Sequence, residues 1–249
     1  MKARQAPRTL ALLGLIPLVL LTKGWAESNT QPSIDPLEKP ALQTPLASKG
    51  LINGLTHAGA SLIAVGQRGH ILTSDDQGKN WAQASVPVSS DLVAVHFPSA
   101  EVGYAVGHDG VVLKSTDGGK SWVLILDGRS SNDVENPYLD VWFDTADEGY
   151  VVGAFGKILY TADGGKSWAS KADVVDNPNA MHIYSIKRLG GELYLAGEQG
   201  LFNRFNPNTQ RFDQCTLPYK GSLFGVAGDA QAIWAYGLRG SLFRSTDQG

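Results

Sequence analysis

Residues 114–122, KSTDGGKSW, contain Gly-Lys-Ser, the tripeptide that closes a phosphate-binding loop. Such a loop wraps phosphates with successive backbone N–H groups and needs a glycine five positions before the Gly of the tripeptide. Lys114 holds that place, and in the near copy YTADGGKSW at 160–168 it is Tyr160. A third version, LTSDDQGKNW at 72–81, has no hydroxyl residue after Lys79. Phosphate chemistry is therefore not what is repeated. Metal chemistry fares no better: His57, His70, His96, His108 and His182 show no ligand spacing, and no Asp turn matches the D-x-D-x-D-G calcium loop. Neither a metal nor a cofactor is expected.

The elements that must position these turns follow from the whole chain. It has 249 residues, 43% of them hydrophobic, with 29 glycines and 12 prolines, enough for a buried core and many turns. Lys2, Arg4 and Arg8 precede an apolar run from Leu10 to Leu21, followed by Gly24-Trp25-Ala26. A dozen apolar residues fall short of the roughly 20 that span a bilayer, so the pattern predicts an export signal over 1–26, cleaved after Ala26. Its removal leaves 17 basic against 24 acidic side chains, a formal charge of −7, which excludes nucleic acid as an expected partner. The single cysteine, Cys215, has no internal partner and reads as a small apolar side chain. Residues 27–49 are rich in Pro, Ser and Thr and read as a linker or a late-closing strand.

A pair of glycines three apart recurs at 66/69, 107/110, 153/156, 197/200 and 237/240, with steps of 41, 46, 44 and 40 residues. Trp81, Trp122, Trp168 and Phe212 keep the same steps. Within 92–126, four short β-branched and aromatic runs are separated by turn residues: 92–97, 103–106, 111–115 and 122–126. Four antiparallel strands per repeat of this length make one blade of a β-propeller. The expected fold is thus all-β, with inner strands near Leu51, Leu92, Leu139, His182 and Leu223 and blades at about 50–90, 91–137, 138–181, 182–221 and 222 to the end. The last unit stops at RSTDQG, before its closing aromatic, so a complete protein of six or seven blades is expected.

The motif S/T-x-D-x-G-x-x-W is filled by Ser74, Asp76, Gly78 and Trp81, by Ser115, Asp117, Gly119 and Trp122, and by Thr161, Asp163, Gly165 and Trp168, with Asp247 opening a further copy. In a tight turn the Asp can accept N–H groups of its own turn, while the Gly takes a positive φ. The Trp then starts the outer strand and is expected to pack beside the next blade. The motif reads as a structural staple; unit four, RFNPNTQRF at 204–212, lacks the Asp and Gly. With its preceding G-x-x-G, the pattern resembles the Asp-box (BNR) propellers, and most of all the photosystem II stability and assembly factor family, over residues 50–249.

In such a blade the glycine-pair tips and the connections between blades share one face, and the Asp boxes lie on the other. The tips carry Gln67 and Arg68, His108 and Asp109, Ala154 and Phe155, Glu198 and Gln199, and Leu238 and Arg239. The longest connection, 127–138, adds Arg129. The tips carry no catalytic set and a non-catalytic monomer is expected; the resemblance implies that it holds a membrane-protein or envelope-complex subunit through an arginine patch, peripheral to the membrane through that partner. On this reading Arg68, Arg239, Arg129, His108 and Gln199 are the partner-binding candidates. The complex stays open between photosystem II and another envelope assembly, and the compartment between a periplasm and a thylakoid lumen. The alternative that Asp-box propellers suggest is a sialidase-like glycosidase. Residues 27–73 lack its F/Y-R-I-P segment, having only Arg68, while Asp109, Asp140, Asp144 and Glu198 could serve a carboxylate-pair mechanism.

Overall fold

The computed structural model describes residues 35–131 and 134–249. The expected export signal and residues 27–34 lie outside them. The described chain is a five-bladed β-propeller. Blade 1 is β1 (Ile52–Ala58), β2 (Ser61–Gly66), β3 (Ile71–Ser74) and β4 (Ala82–Gln83); blade 2 is β5 (Leu92–His96), β6 (Gly103–Gly107), β7 (Val112–Ser115) and β8 (Val123–Leu126). Blade 3 is β9 (Tyr138–Phe143), β10 (Gly149–Gly153), β11 (Ile158–Thr161) and β12 (Ala169–Ser170). Blade 4 is β13 (Ile183–Leu189), β14 (Glu192–Gly197), β15 (Phe202–Asn206) and β16 (Arg211–Gln214), and blade 5 has the three strands β17 (Leu223–Gly228), β18 (Ile233–Gly237) and β19 (Leu242–Ser245). Every blade is antiparallel in sequence order with its first strand innermost, and the first strands of blades 1 to 4 each pack on the first strand of the blade that follows. The expected inner strands fall within a residue of the observed ones.

The period-2 pattern explains why the core is divided. In blade 2, Ala105, Val111 and Leu113 join a cluster with Ile63, Val65 and Ile71 of blade 1. Their alternate neighbours Tyr104, Val106 and Val112 join Val141, Phe143 and Val151 of blade 3. In blades 1 to 4 the second strand is buried on both faces, so it reads as an almost unbroken apolar run, and the hydrophobic core is a series of slabs between blades, whereas Trp234 and Tyr236 of β18 in blade 5 are exposed.

The Asp boxes hold the outer turns as their composition implies. In blade 2, Ser115 Oγ donates to Asp117 Oδ1 (2.8 Å) and accepts the Gly119 N–H (2.9 Å). Asp117 also accepts the N–H groups of Lys120 and Ser121 (both 3.0 Å) and the Ser121 hydroxyl (2.5 Å). Ser74 with Asp76, Thr161 with Asp163 and Ser245 with Asp247 repeat this. The indoles of Trp81 and Trp122 donate to Gly78 and Gly119 carbonyls (both 3.0 Å), whereas the buried Trp168 N–H has no partner among the described residues. One expectation is corrected: Trp122 and Trp168 pack toward the preceding blade, because the first residue of the outer strand points to that face. Trp81, with no described blade before it, packs on Ala47.

Unit four closes differently. Asn206 accepts the Asn208 N–H (3.0 Å) and donates to Asp213 (2.8 Å), while Gln210 sits at φ 56° with its amide on the Pro207 carbonyl (2.8 Å). Residues 35–49 carry two 3-10 turns, Pro36–Glu38 and Ala47–Lys49, and run along the outside of blade 1, where Ala41 N–H meets the Val86 carbonyl (3.0 Å). Cys215 packs half-buried in the slab between blades 4 and 5, and burial pushes its thiol up.

The boxes give the fold a defined acid sensitivity. The Ser167 hydroxyl first, then the Ser167 N–H and the Thr161 hydroxyl, hold the Asp163 carboxyl well below its ordinary value of 3.8. Asn80 does the same for Asp76. A depressed folded value contributes stability that is complete above 3.8 and is lost as pH falls through the folded value. Thermal melts should therefore be flat from neutral pH to about pH 5 and drop below about pH 4. Asp117→Ala should lower stability at neutral pH by about 1 kcal/mol, the low end for lost hydrogen bonds because the residue is solvent-exposed. A melt unchanged in Asp117→Ala would remove the staple role.

Candidate functional site

The tip of each blade is built by its glycine pair. The N–H after the first glycine donates to the carbonyl just before the inner strand: Gln67 to Leu51 (3.1 Å), His108 to Asp91 (2.9 Å), Ala154 to Pro137 (3.1 Å), Glu198 to His182 (2.9 Å) and Leu238 to Ser222 (2.9 Å). A Cβ on Gly66, Gly107, Gly153, Gly197 or Gly237 would collide with that same carbonyl oxygen. The inner strand bulges at this level in every blade. The chain then turns through one residue in the left-handed region before the second glycine, which is also left-handed.

That central residue is not glycine in any blade. Arg68, Asp109, Phe155, Gln199 and Arg239 have φ of 57°, 57°, 53°, 52° and 60°. A non-glycine residue here costs about 1–2 kcal/mol, and such strain concentrates at functional positions. The geometry puts one side chain per blade outward at an equivalent place. Arg68, Gln199 and Arg239 are exposed, as is His108 one position earlier, and Phe155 is 65% exposed.

Arg68 and Arg239 make no ion pair among the described residues; only the Arg68 backbone N–H is engaged, on Asp91 (2.7 Å). Arg129 differs. It lies beside the blade 2 tip, but its guanidinium takes Asp127 (2.7 Å), Glu38 (3.6 Å) and Asp35 (3.9 Å). Its charge ties the segment around 35–38 to the connection after blade 2.

Of the four carboxylates weighed for glycosidase chemistry, Asp140, Asp144 and Glu198 have partners. Buried Asp140 on β9 accepts the Ile186 N–H (3.0 Å) and pairs with Lys187 (3.3 Å), joining blade 3 to blade 4. Asp144 takes Arg188 through both oxygens (2.6 Å each) and the Trp142 indole (2.8 Å). Burial pushes the Asp144 carboxyl up, but Arg188 and Trp142 outweigh it and keep the group below its ordinary value. Asp109 is at a tip, and Glu198 faces its own blade's His182 (4.0 Å).

One feature of the face was not legible beforehand. Phe155, His182, Tyr184 and Phe224 form an aromatic run across blades 3, 4 and 5, with ring separations of 4.8, 6.2 and 6.0 Å. His182 Nδ1 accepts the Phe155 N–H (2.7 Å). The available signal was position: Tyr184 and Phe224 are both the second residue of their inner strands.

The sequence model of "Photosynthesis system II assembly factor YCF48" matches residues 21–116 and 129–221. The chain belongs to this family. Two solved structures of the family are similar to it: "YCF48 bound to D1 peptide", at 19% identity and TM-score 0.62 over 83% of this chain and 67% of that one, and YCF48 from Cyanidioschyzon merolae, at 19% identity and TM-score 0.60 over 84% and 70%. A GH74 xyloglucanase from Xanthomonas campestris shares the fold at 18% identity and TM-score 0.59, over 86% of this chain and 37% of its own. No curated protein matches the sequence. At these identities the structural likeness speaks for the fold, and the family model carries the membership.

The tip geometry separates scaffold from side chain. Gly107→Ala should be strongly destabilising, because its methyl meets the Asp91 carbonyl and backbone must move. Arg68→Gly should leave the melting temperature nearly unchanged, since glycine relieves the left-handed strain while adding unfolded-state freedom. Equal destabilisation in the two variants, read by thermal melts, would mean that the arginine is structural.

Proposed function

We propose that the chain is an exported, non-catalytic monomer that holds a segment of a membrane-protein subunit against its tip face during assembly of a membrane complex. The observation that carries this reading is the pair of exposed left-handed tip residues Arg68 and Arg239, whose guanidinium groups have no ion-pair partner among the described residues. A guanidinium held outward on a short turn is placed for bidentate contact with a carboxylate. Family membership supports the reading, as does a relative of the same fold bound to D1 peptide. His108 and Gln199 supply polar contacts on blades between those of the two arginines, and Arg129 acts through the segment that it anchors.

Among the described residues no helix is long and apolar enough to cross a membrane. The protein reaches the membrane through its partner, on the far side of the export apparatus: a periplasm, or a thylakoid lumen in a photosynthetic cell. Glycoside hydrolysis gains no support from the carboxylates. Asp140 and Asp144 are tied to Lys187 and Arg188, and an acid catalyst needs a raised value where Asp144 has a lowered one.

Two experiments test this. Arg68→Ala with Arg239→Ala should weaken capture of a photosynthetic or envelope membrane protein by about tenfold at an unchanged melting temperature; retained capture would overturn the tip-face reading. Mass spectrometry of the exported protein should find Glu27 as its first residue, and Met1 in its place would end the export reading.

A further inference from the structure

The residue three before the first tip glycine lies on the second strand of each blade: Ile63, Tyr104, Tyr150, Tyr194 and Trp234. Two of these tyrosines complete their hydrogen bonding on the following blade. The Tyr104 hydroxyl donates to the Ala146 carbonyl of blade 3 (2.6 Å), and that of Tyr194 to the Gln248 carbonyl inside the blade 5 Asp box (2.9 Å). Tyr150 points at blade 4, which has no Asp box. Its hydroxyl has no hydrogen-bond partner among the described residues.

The missing box also leaves room. In blades 2 and 3 the box glycines Gly119 and Gly165 pack on Ile63 and Ile125 of the blade before, filling the groove between sheets. Between blades 3 and 4 that groove stays open as a cleft of about 260 Å³ walled by Tyr150, Tyr160, Phe205 and Phe212, with Lys171 at its side. The rings are set at angles: Tyr150 lies 4.9 Å from Tyr160 at 46° and 6.2 Å from Phe212 at 89°. Lys171 Nζ stands 5.5 Å from the Tyr160 ring and makes no ion pair among the described residues. Of the nearby acids, Glu148 accepts the Tyr160 hydroxyl (3.0 Å) and Asp144 is held by Arg188. Burial, then the neighbouring Tyr160, pushes the Tyr150 phenol up to about 12, so it stays a donor at neutral pH.

We propose that this cleft is a second binding site, separate from the tip face, which takes an apolar side chain and an adjacent carboxylate of a partner polypeptide. The angled rings enclose the side chain, and the Tyr150 hydroxyl and Lys171 ammonium, both donors, meet the carboxylate. The volume lies below the 300–1,000 Å³ typical of whole small-molecule sites and suits one side chain with its backbone.

The test uses the full chain and N-acetyl-phenylalanine, which joins a ring to a carboxylate, with N-acetyl-phenylalaninamide as its uncharged counterpart. In an NMR titration the carboxylate compound should give saturable shifts at the backbone amides of 150, 160, 171 and 212, and the amide compound should bind about tenfold more weakly. Tyr150→Phe keeps the ring and Lys171→Gln keeps most of the length, so both should fold. A loss of affinity of about threefold or more in either variant supports the site. No shifts at these amides, equal affinity for the two compounds, or unchanged affinity in both variants would overturn it. Neither residue belongs to the tip face, so failure here leaves the arginine reading standing.

Discussion

The constraint on which the rest depends is a contact between two stretches of backbone. At each tip the second strand of a blade must come close enough to the start of the first for an N–H to reach the carbonyl that precedes it, and any side chain at the intervening position would fill that space. A glycine solves this five times. Everything positioned by the tip inherits its accuracy: the bulge of the inner strand, the left-handed residue that follows, and the placing of one outward side chain per blade. The strain of that left-handed residue is tolerated because the backbone on either side is already tied.

The Asp boxes do the complementary task on the other face, and the two devices differ in how far they can be dispensed with. Every described blade keeps its first tip glycine, whereas blade 4 has exchanged its box for an asparagine and proline turn and still pairs β15 with β16. A hydrogen-bonded turn has several chemical solutions, and a close backbone approach has one. The exchange alters the neighbouring groove, since box glycine and tryptophan are filler for the slab between blades as well as turn residues.

Most of the fold was legible in the sequence because the repeats are written in residues with few substitutes. Glycines at 66 and 107 mark backbone positions that no side chain can take, aromatics such as Trp81 and Trp122 recur at the same steps, and inner strands placed from them fall within a residue of the observed ones. What was not legible depends on which face a side chain leaves by. Trp122 turned toward the blade before it, and Arg129 found Asp35 and Glu38, some 90 residues earlier in the chain. Asp140 and Asp144 met cations at 187 and 188 on the adjacent blade. Each is a contact between units, and a repeat pattern describes one unit at a time.

The slab construction also bears on how the molecule comes apart and together. Since each inner strand packs on the next and each slab is shared by two neighbouring blades, stability is close to a sum of blade terms and nearest-neighbour terms. Long-range closure is not needed for the first contacts to form, and blades can dock in the order in which they are synthesised. The polar ties differ in kind: blade 3 meets blade 4 through Asp140 with Lys187 and Asp144 with Arg188, whereas blade 1 meets blade 2 through the Asn53 amide on the Leu92 carbonyl (2.8 Å), the Arg68 N–H on Asp91 (2.7 Å) and backbone bonds of Ser85 with Lys120 and Trp122. Hydrogen exchange along the row should therefore be graded from joint to joint rather than uniform, and the joint between blades 3 and 4 is the one whose ties salt should weaken.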